Sequence, residues 1–357
     1  MNGCPHCRFC RHRNKNENQN ALPWPKAAGG RCIPTDGWKI GSHDAEFKSH
    51  ECVGMALAPW RRSVHKLCMK TIARPRRSVL FVPASNSRAL EKSLTLAADC
   101  VIYDLEDSVA PEAKTTARGA LAAHFAEHPK VGFERVVRVN AADTEWGKAD
   151  VTAAAKIGAG AVLLPKVERP QDIIDTANRL DRNDADLDVR VWAMIETPRG
   201  ILNADEIAVL GHRSAARLGC FVVGPNDIAR ATGVRQQTGR PYLIPWLMQI
   251  ILAARAGGID VLDGVYNDFC DDVGYEAECM QAALMGFDGK TLIHPSQIEA
   301  ANRAFSPSDE DVAHARAVIT AFAQPENADK GVVSLDGQMV ERLHLEMAER
   351  LLAKSNS

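Results

Sequence analysis

Short apolar runs alternate with segments of helical spacing from about residue 77 to residue 293. Runs of this kind, ending at polar groups, are typical of buried parallel strands that open into loops. Eight strands are predicted, over residues 78–84, 100–106, 135–139, 161–166, 189–196, 220–224, 260–264 and 291–293. Helices are predicted after the first seven strands, at 88–97, 112–127, 146–157, 170–180, 201–210, 245–256 and 275–285. Eight such units predict an α/β fold of the (β/α)8 TIM-barrel type.

A doubly wound open sheet is the alternative architecture. The glycine-rich G-x-G-x-x-G motif of dinucleotide-binding folds does not follow the first strand, so that alternative loses its main support. The barrel domain is therefore predicted to cover residues 76–300.

Polar side chains stand where the predicted strands end. Asp104 to Asp107 close the second strand, Arg138 lies near the end of the third, and Lys166 ends the fourth. Glu196 ends the fifth strand, and Asp227 follows the sixth. Because the carboxyl ends of parallel strands lie on one side of the fold, we expect these groups to converge there.

The last part of the chain, residues 301–357, lies outside the eight units. It is predicted to contain a helix capped by Ser308, a hairpin over 331–340 with a turn at Asp336-Gly337, and a final amphipathic helix over 341–353. We expect this C-terminal helical lid segment to cover the barrel or to reach a neighbouring subunit.

Residues 1–70 have a different composition, rich in Asn, Arg, His, Gly and Pro, and lack a sustained period. They are predicted to be disordered or to be a non-native extension, with translation beginning at Met69 as one explanation. A possible zinc cluster in this part comprises Cys4, Cys7, Cys10, His6 and His12. Structural zinc sites usually draw on two separated ligand pairs, and no second pair lies nearby, which argues against such a site.

Composition excludes several classes of protein. The formal net charge of the 357-residue chain is −2, which does not suggest a nucleic-acid partner. The sequence contains neither an apolar stretch long enough to span a bilayer nor a signal peptide with an apolar centre, so no membrane association is expected. The cysteines beyond residue 67 are scattered in apolar or helical contexts, which predicts reduced thiols in a cytoplasmic protein.

Short motifs along the chain share the order and spacing of a known superfamily. They are Arg77 to Pro83, Asp104 to Asp107, Val137 to Asn140, Leu164 to Lys166, Ile195 to Pro198, Gly224 to Asp227, Ile293 to Gln297 and Gly337 to Val340. Together they resemble the CoA-ester lyases of the citrate lyase β-subunit/HpcH-HpaI aldolase superfamily over about residues 76–353. Leu262 to Phe269 and Glu341 to Glu346 look most like the malyl-CoA lyase branch.

The resemblance implies a reversible Claisen-type cleavage that depends on Mg²⁺ or Mn²⁺. A 3-hydroxyacyl-CoA such as malyl-CoA would split into acetyl-CoA and glyoxylate. Glu196 and Asp227 would bind the metal directly, in keeping with the preference of Mg²⁺ for carboxylates and water. Asp104, Glu106 and Asp107 would hydrogen-bond the metal's waters or orient their neighbours. Capping of the following loop is an equally open role for Asp104, and a turn or helix cap is the alternative for Asp227.

Cationic residues take the substrate-binding roles in this interpretation. Arg138 matches an arginine that contacts the 2-oxo acid, and a salt bridge to Glu106 or Glu196 is compatible with that role. Lys166 is assigned an electrostatic or structural role rather than that of a Schiff base. The candidates for the CoA phosphates are Arg77, Arg88 and Lys92, although exposed cations on a first helix are often only solvated.

An acid or base at the thioester carbon is implied to be Glu341, often supplied by an adjacent subunit in this superfamily, with Asp336 as a second candidate. The alternative for Glu341 is a first-turn helix acid. We therefore expect a homo-oligomer, a trimer or hexamer, with shared active sites and with an acyl-CoA and a 2-oxo acid as small-molecule partners. Open alternatives are a citramalyl-CoA or β-methylmalyl-CoA lyase, a malyl-CoA thioesterase and a free 2-oxo acid aldolase.

Overall fold

A closed barrel of eight parallel strands, paired in sequence order, dominates the computed structural model, which describes residues 75–327 and 329–355. The strands are β1 (Ser78–Pro83), β2 (Cys100–Asp104), β3 (Glu134–Arg138), β4 (Ala161–Leu164), β5 (Arg190–Ile195), β6 (Leu218–Val223), β7 (Asp260–Asp263) and β8 (Gly289–Leu292). The predicted (β/α)8 fold is confirmed. The predictions made for residues 1–70, including the cysteine cluster and a start at Met69, lie outside the described residues.

Helices surround the barrel. They are α1 (Ser87–Ser93), α2 (Lys114–Glu127), α3 (Gly147–Lys156), α4 (Pro170–Arg182), α5 (Pro198–Leu202), α6 (Ala204–Ala208), α7 (Pro225–Thr232), α8 (Ile244–Gly257), α9 (Asp272–Met285) and α10 (Ile298–Ala304). The single helix predicted at 201–210 is interrupted at Asn203, whose side chain donates to the Glu168 carbonyl (2.8 Å). Helix α7 was missed, although Pro225 at its first position and Gly233 just beyond its end mark its limits.

Alternation along the strands decides which side chains point into the barrel. Trp192 and Met194 of β5 belong to the apolar cluster inside it, whereas Val191, Ala193 and Ile195 belong to the cluster under the helices. Since side chains alternate faces, the next residue, Glu196, turns inward at the mouth of the barrel. The same argument turns Asp104 of β2 inward after Ile102, and Arg138 of β3 inward after Val136. Strand geometry thus brings these three side chains to one end.

The C-terminal segment has an apolar core of its own. It comprises α11 (Asp309–Ala323), β9 (Val332–Leu335), β10 (Gln338–Glu341) and α12 (Arg342–Ser355), packed around a small cluster that includes Phe322. The predicted hairpin turn is present, with φ of 51° at Asp336 and 79° at Gly337. The predicted boundary after residue 300 falls within α10, whose Ala301 packs in the barrel core, and the division into domains stays a prediction.

None of the helices in the described ranges is long and apolar enough to cross a membrane. The described cysteines are unpaired: Cys100, Cys220 and Cys279 are buried, and Cys270 is exposed.

Candidate active site

A cavity of about 390 Å³ lies at the carboxyl ends of the barrel strands. Its charged lining consists of Asp104, Asp107, Arg138, Glu196 and Asp227, all of which the sequence analysis proposed for one site. Active sites of this fold form at this end of the barrel. The structure therefore brings the proposed metal ligands and the proposed substrate arginine to one cavity.

Glu196 is buried at the mouth of the barrel, with 2% of its surface exposed. Its carboxylate accepts a hydrogen bond from the backbone N–H of Lys166 (2.8 Å), a residue held in the left-handed region at φ 53°. A Cβ at position 224 would collide with the Glu196 carboxylate, so glycine is required there. Burial, followed by repulsion from Asp227, raises the pKa of Glu196 to about 7.

Asp227 reaches the cavity from the first turn of α7. It is partly exposed and pairs with Arg230 one turn later (2.5 Å) on the outer side of the helix. The amino-terminal end of a helix favours a carboxylate, so the predicted helix-end role and a ligand role are compatible at this position.

The charges of the cavity suit a divalent cation. Glu196 and Asp227 repel each other across a cavity with oxygen donors, which a cation between them would relieve. In addition, Glu106 Oε2 is buried and makes no hydrogen bond to any described residue, and it lies 3.1 Å from Arg138 Nη1. Carboxylate oxygens and water are the ligands that Mg²⁺ and Mn²⁺ prefer. The residues present fit such an ion.

Arg138 is fixed by a two-fold contact with Asp104. Its Nε and Nη2 atoms each donate to an Asp104 oxygen at 2.7 Å, and the guanidinium lies 4.8 Å from the centre of the Phe81 ring. Burial alone would lower the pKa of Arg138, but the bonds to Asp104 raise it above its usual value. Asp104 also accepts from the backbone N–H groups of Glu106 (2.8 Å) and Ser108 (3.1 Å). It therefore both orients Arg138 and caps the loop.

Glu106 bridges the two cations behind the cavity. Its Oε1 accepts from Lys166 Nζ (2.5 Å), and its Oε2 lies 3.1 Å from Arg138 Nη1, the salt bridge considered for Arg138 from the sequence. Burial lowers the pKa of Lys166, but the Glu106 contact outweighs it and the net shift is upward. A protonated amine cannot attack a carbonyl, so the geometry favours an electrostatic role for Lys166.

Several predicted residues lie elsewhere. Arg77 precedes β1, at the opposite end of the barrel, and binds both oxygens of Asp99 (2.8 Å each) and Ser306 (2.9 Å). Its position before the strand puts Arg77 at the amino end, away from this cavity, and its role with CoA phosphates stays a prediction. Arg88 and Lys92 are exposed on α1, which follows the carboxyl end of β1, and neither lines the cavity of the described chain.

Asp336 and Glu341 are also absent from the cavity lining formed by the described residues. Asp336 stands at the hairpin turn. Glu341 ends β10, just before α12, and its backbone N–H donates to His344 Nδ1 (2.9 Å).

The cavity also has an apolar lining that was not predicted from the sequence. Phe81, Met194, Val223 and Ile293 contribute to it. Val79 of β1 and Trp192 of β5 point into the barrel. Alternation along these strands predicts that Phe81 and Met194, two residues later, point inward as well.

Comparison with known proteins agrees with this geometry. The family model described as HpcH/HpaI aldolase/citrate lyase matches residues 77–295. The chain is 46% identical over 286 residues to (3S)-malyl-CoA thioesterase of Cereibacter sphaeroides, covering 80% of this chain and 96% of that protein. It is 36% identical over 288 residues to citrate lyase subunit beta of Escherichia coli (strain K12), covering 79% and 94%.

Among solved structures, the chain is similar to protein CitE from Mycobacterium tuberculosis in complex with magnesium, acetoacetate and coenzyme A. The TM-score is 0.62 and the identity 33%, over 80% of this chain and 100% of that one. The family match covers more than half of the chain and carries every polar group of the cavity. The chain belongs to the HpcH/HpaI aldolase/citrate lyase family.

Proposed function

We propose that this protein is a Mg²⁺-dependent enzyme that acts on malyl-CoA or a closely related 3-hydroxyacyl-CoA. The observation that carries the proposal is the placement of Glu196, Asp227 and the anchored Arg138 around one cavity. Malyl-CoA carries a hydroxyl and a carboxylate on adjacent carbons, which suits chelation by a divalent cation. The remaining face of the Arg138 guanidinium suits the substrate carboxylate.

We further propose hydrolysis of the thioester, to malate and CoA, as the reaction. The 46% identity to a (3S)-malyl-CoA thioesterase over 80% of the chain supports this choice over the lyase that the motifs suggested first. Carbon–carbon cleavage to acetyl-CoA and glyoxylate is the second candidate, supported by the similarity to citrate lyase subunit beta.

Both reactions need the same preorganised groups. Mg²⁺, when bound, polarises the substrate oxygens that it contacts. Arg138 holds the substrate carboxylate and stabilises negative charge that develops beside it, while Asp104 keeps the guanidinium plane fixed. Lys166 holds Glu106 in place through its 2.5 Å contact and so keeps a hydrogen-bond acceptor at the back of the site.

The reaction can be tested with malyl-CoA, with Mg²⁺ or with EDTA, by measuring free CoA, glyoxylate and acetyl-CoA together. Hydrolysis predicts one free thiol per substrate and no glyoxylate. Cleavage predicts glyoxylate and acetyl-CoA in equal amounts. Citramalyl-CoA, β-methylmalyl-CoA and free 2-oxo acids complete the panel, and a protein that turns over none of these CoA thioesters would refute the proposal.

We also propose a homo-oligomer in which Glu341 of one subunit serves the cavity of another as acid or base. Two observations support it. Within the described chain Glu341 does not line the cavity, and the lid segment exposes Met339, Leu343 and Met347 at 67%, 51% and 61%. Exposed apolar side chains in this number favour burial against another surface.

Subunit mixing can test the shared site. Glu196→Gln and Glu341→Gln should each be inactive alone, and exchange of their subunits should restore part of the activity. The matched control is Glu346→Gln, an exposed acid on α12, the helix that follows Glu341, and this variant should be active by itself. Inactive mixtures, after mass spectrometry has shown that subunits exchange, would exclude a shared site.

A further inference from the structure

A cluster of two histidines and a glutamate lies on the outside of the barrel, apart from the cavity. Glu91 is on α1, His124 is in the last turn of α2, and His128 directly follows α2. One ligand atom from each lies within 4.8 Å of the other two. Among the described residues, no other group of three or more His, Cys, Asp or Glu side chains has its ligand atoms this close together.

The distances between these atoms are close to those of a tetrahedral metal site. Glu91 Oε1 is 3.3 Å from His124 Nδ1 and 3.7 Å from His128 Nε2. Zinc–nitrogen bonds of about 2.0–2.1 Å give ligand–ligand edges of roughly 3.3–3.4 Å in a tetrahedron. The imidazole rings of His124 and His128 are also close, with centroids 5.1 Å apart. Glu91 and His128 are 59% and 34% exposed, so their side chains have the freedom to close the remaining gap.

His124 is the most buried of the three proposed ligands. His124 is 4% exposed and lies edge-on to the ring of Tyr103, at a centroid distance of 5.6 Å. Burial lowers the pKa of His124 more than Glu91 raises it, which favours the neutral imidazole that a metal needs. The carbonyl end of α2, which carries partial negative charge, also favours a cation.

The backbone at His128 is fixed as well. Its N–H donates to the carbonyl of His124 (3.1 Å), and its carbonyl accepts from Arg135 Nη1 (2.8 Å). Arg135 is the cation that opposes a metal here, but its guanidinium is engaged with this carbonyl, with that of Pro129 (3.3 Å) and with the ring face of Phe125.

We propose that Glu91, His124 and His128 form a second metal site, selective for a transition metal such as Zn²⁺ rather than for Mg²⁺. Two imidazole nitrogens and one carboxylate suit Zn²⁺, with water in the fourth position. The oxygen-lined cavity suits Mg²⁺ instead. The ion would join α1 to the end of α2, and α1 is the helix that carries Arg88 and Lys92. Its role is therefore that of a structural clamp.

Zinc affinity and stoichiometry test the proposal directly, without reference to activity. All proteins are full length and carry Cys4→Ser, Cys7→Ser and Cys10→Ser, so that zinc held by the N-terminal cysteines does not enter the count. Excess Mg²⁺ is present to occupy the cavity. Zn²⁺ is titrated against a chromophoric chelator, and bound metal is counted by elemental analysis.

The expected result is one equivalent of Zn²⁺ in the parent protein. His128→Gln and Glu91→Gln change exposed or half-exposed positions. Each should weaken Zn²⁺ binding by about 100-fold or more, because loss of an outer-shell partner alone lowers metal affinity by about 10–100-fold. The controls His314→Gln and Glu127→Gln make the same changes at exposed positions and should leave the affinity for Zn²⁺ unchanged. Failure of the parent protein to bind Zn²⁺, or equal binding in parent and His128→Gln, would overturn the site.

Discussion

Two buried arginines at opposite ends of the barrel differ in what surrounds them. At the amino end, Arg76 donates to both oxygens of Glu134 (2.7 and 3.0 Å) and to Asp260 (2.7 Å), and lies 4.7 Å from the centre of the Trp192 ring. At the carboxyl end, Arg138 binds Asp104 just as closely, and its side chain is similarly buried, at 11% exposure against 14%.

The two arginines differ in whether the polar groups around them are all hydrogen-bonded. All three guanidinium nitrogens of Arg76 are hydrogen-bonded to carboxylates. Beside Arg138, by contrast, Glu106 Oε2 makes an ionic contact at 3.1 Å but no hydrogen bond within the described chain, and Glu196 has a raised pKa next to Asp227. A satisfied network stabilises a fold, whereas unsatisfied polar groups around a cavity mark a place prepared for a ligand.

The largest contrast should come from replacing one carboxylate at each end. Glu196→Gln removes a metal-ligand charge and should lower turnover by about 10³-fold or more, equivalent to ~4 kcal/mol. Glu134→Gln, the same change at the amino end, should keep its activity per folded molecule. Steady-state rates at saturating Mg²⁺, normalised to the folded fraction, make the comparison. Equal rates for Glu196→Gln and the unaltered enzyme would remove Glu196 from the site.

The two arginines should differ in the same way. Arg138→Lys should lower turnover by about 10²–10³-fold, because a point charge replaces a planar fork that positions the substrate and stabilises developing charge. Arg76→Lys should lower the free energy of unfolding and leave the turnover rate unchanged. Rate measurements and urea unfolding on both variants check this, and an Arg138→Lys enzyme with unaltered kinetics would make Arg138 structural.

Stability should respond with opposite signs at the two ends. The pKa of Glu196 is about 7 in the fold against an ordinary 4.5, so the folded state binds more protons between these values and stability falls as pH rises through them. In Mg²⁺-free protein at pH 8, Glu196→Gln should therefore be more stable than the unaltered chain by about 3 kcal/mol.

That gain should vanish below about pH 4.5 and shrink when Mg²⁺ is added. Glu134→Gln should instead be destabilised at pH 8, because Arg76 loses a charged partner. Urea unfolding at pH 5 and pH 8 measures both variants. A Glu196→Gln protein that is less stable at pH 8 would show that the site is not strained without metal.

The smallest effect expected is that of loosening Arg138. Asp104→Asn keeps one acceptor but loses the charged, two-fold contact, and turnover should fall by about tenfold, or ~1.4 kcal/mol. Asp99→Asn is the control: Asp99 makes a two-fold contact of the same kind with Arg77 (2.8 Å each), but at the amino end, so this change should alter the rate by less than about threefold. If the two substitutions had equal effects, Asp104 would have no special role in orientation.

The hydrophobic periodicity of the sequence was sufficient to predict the barrel and much of its candidate site. Alternating apolar runs placed the eight strands, and their polar ends led to Glu196, Asp227 and Arg138. Arg77 matches the motif but lies before β1, at the amino end of the barrel, where it binds Asp99.

Other features depend on contacts distant in the chain. The break at Asn203 depends on its bond to Glu168, 35 residues away. Glu91 meets His124 from 33 residues away, and only the packing of α1 against α2 brings them together. Local pattern carries no signal for such pairs.

The central claim is that the carboxyl-end carboxylates hold a divalent cation, and binding of Mn²⁺, counted by electron paramagnetic resonance, tests it most directly. We predict one tight Mn²⁺ site, displaced by excess Mg²⁺, in the unaltered chain and in Glu134→Gln, and its loss in Glu196→Gln and Asp227→Asn. Retention of that site by both Glu196→Gln and Asp227→Asn would contradict the account.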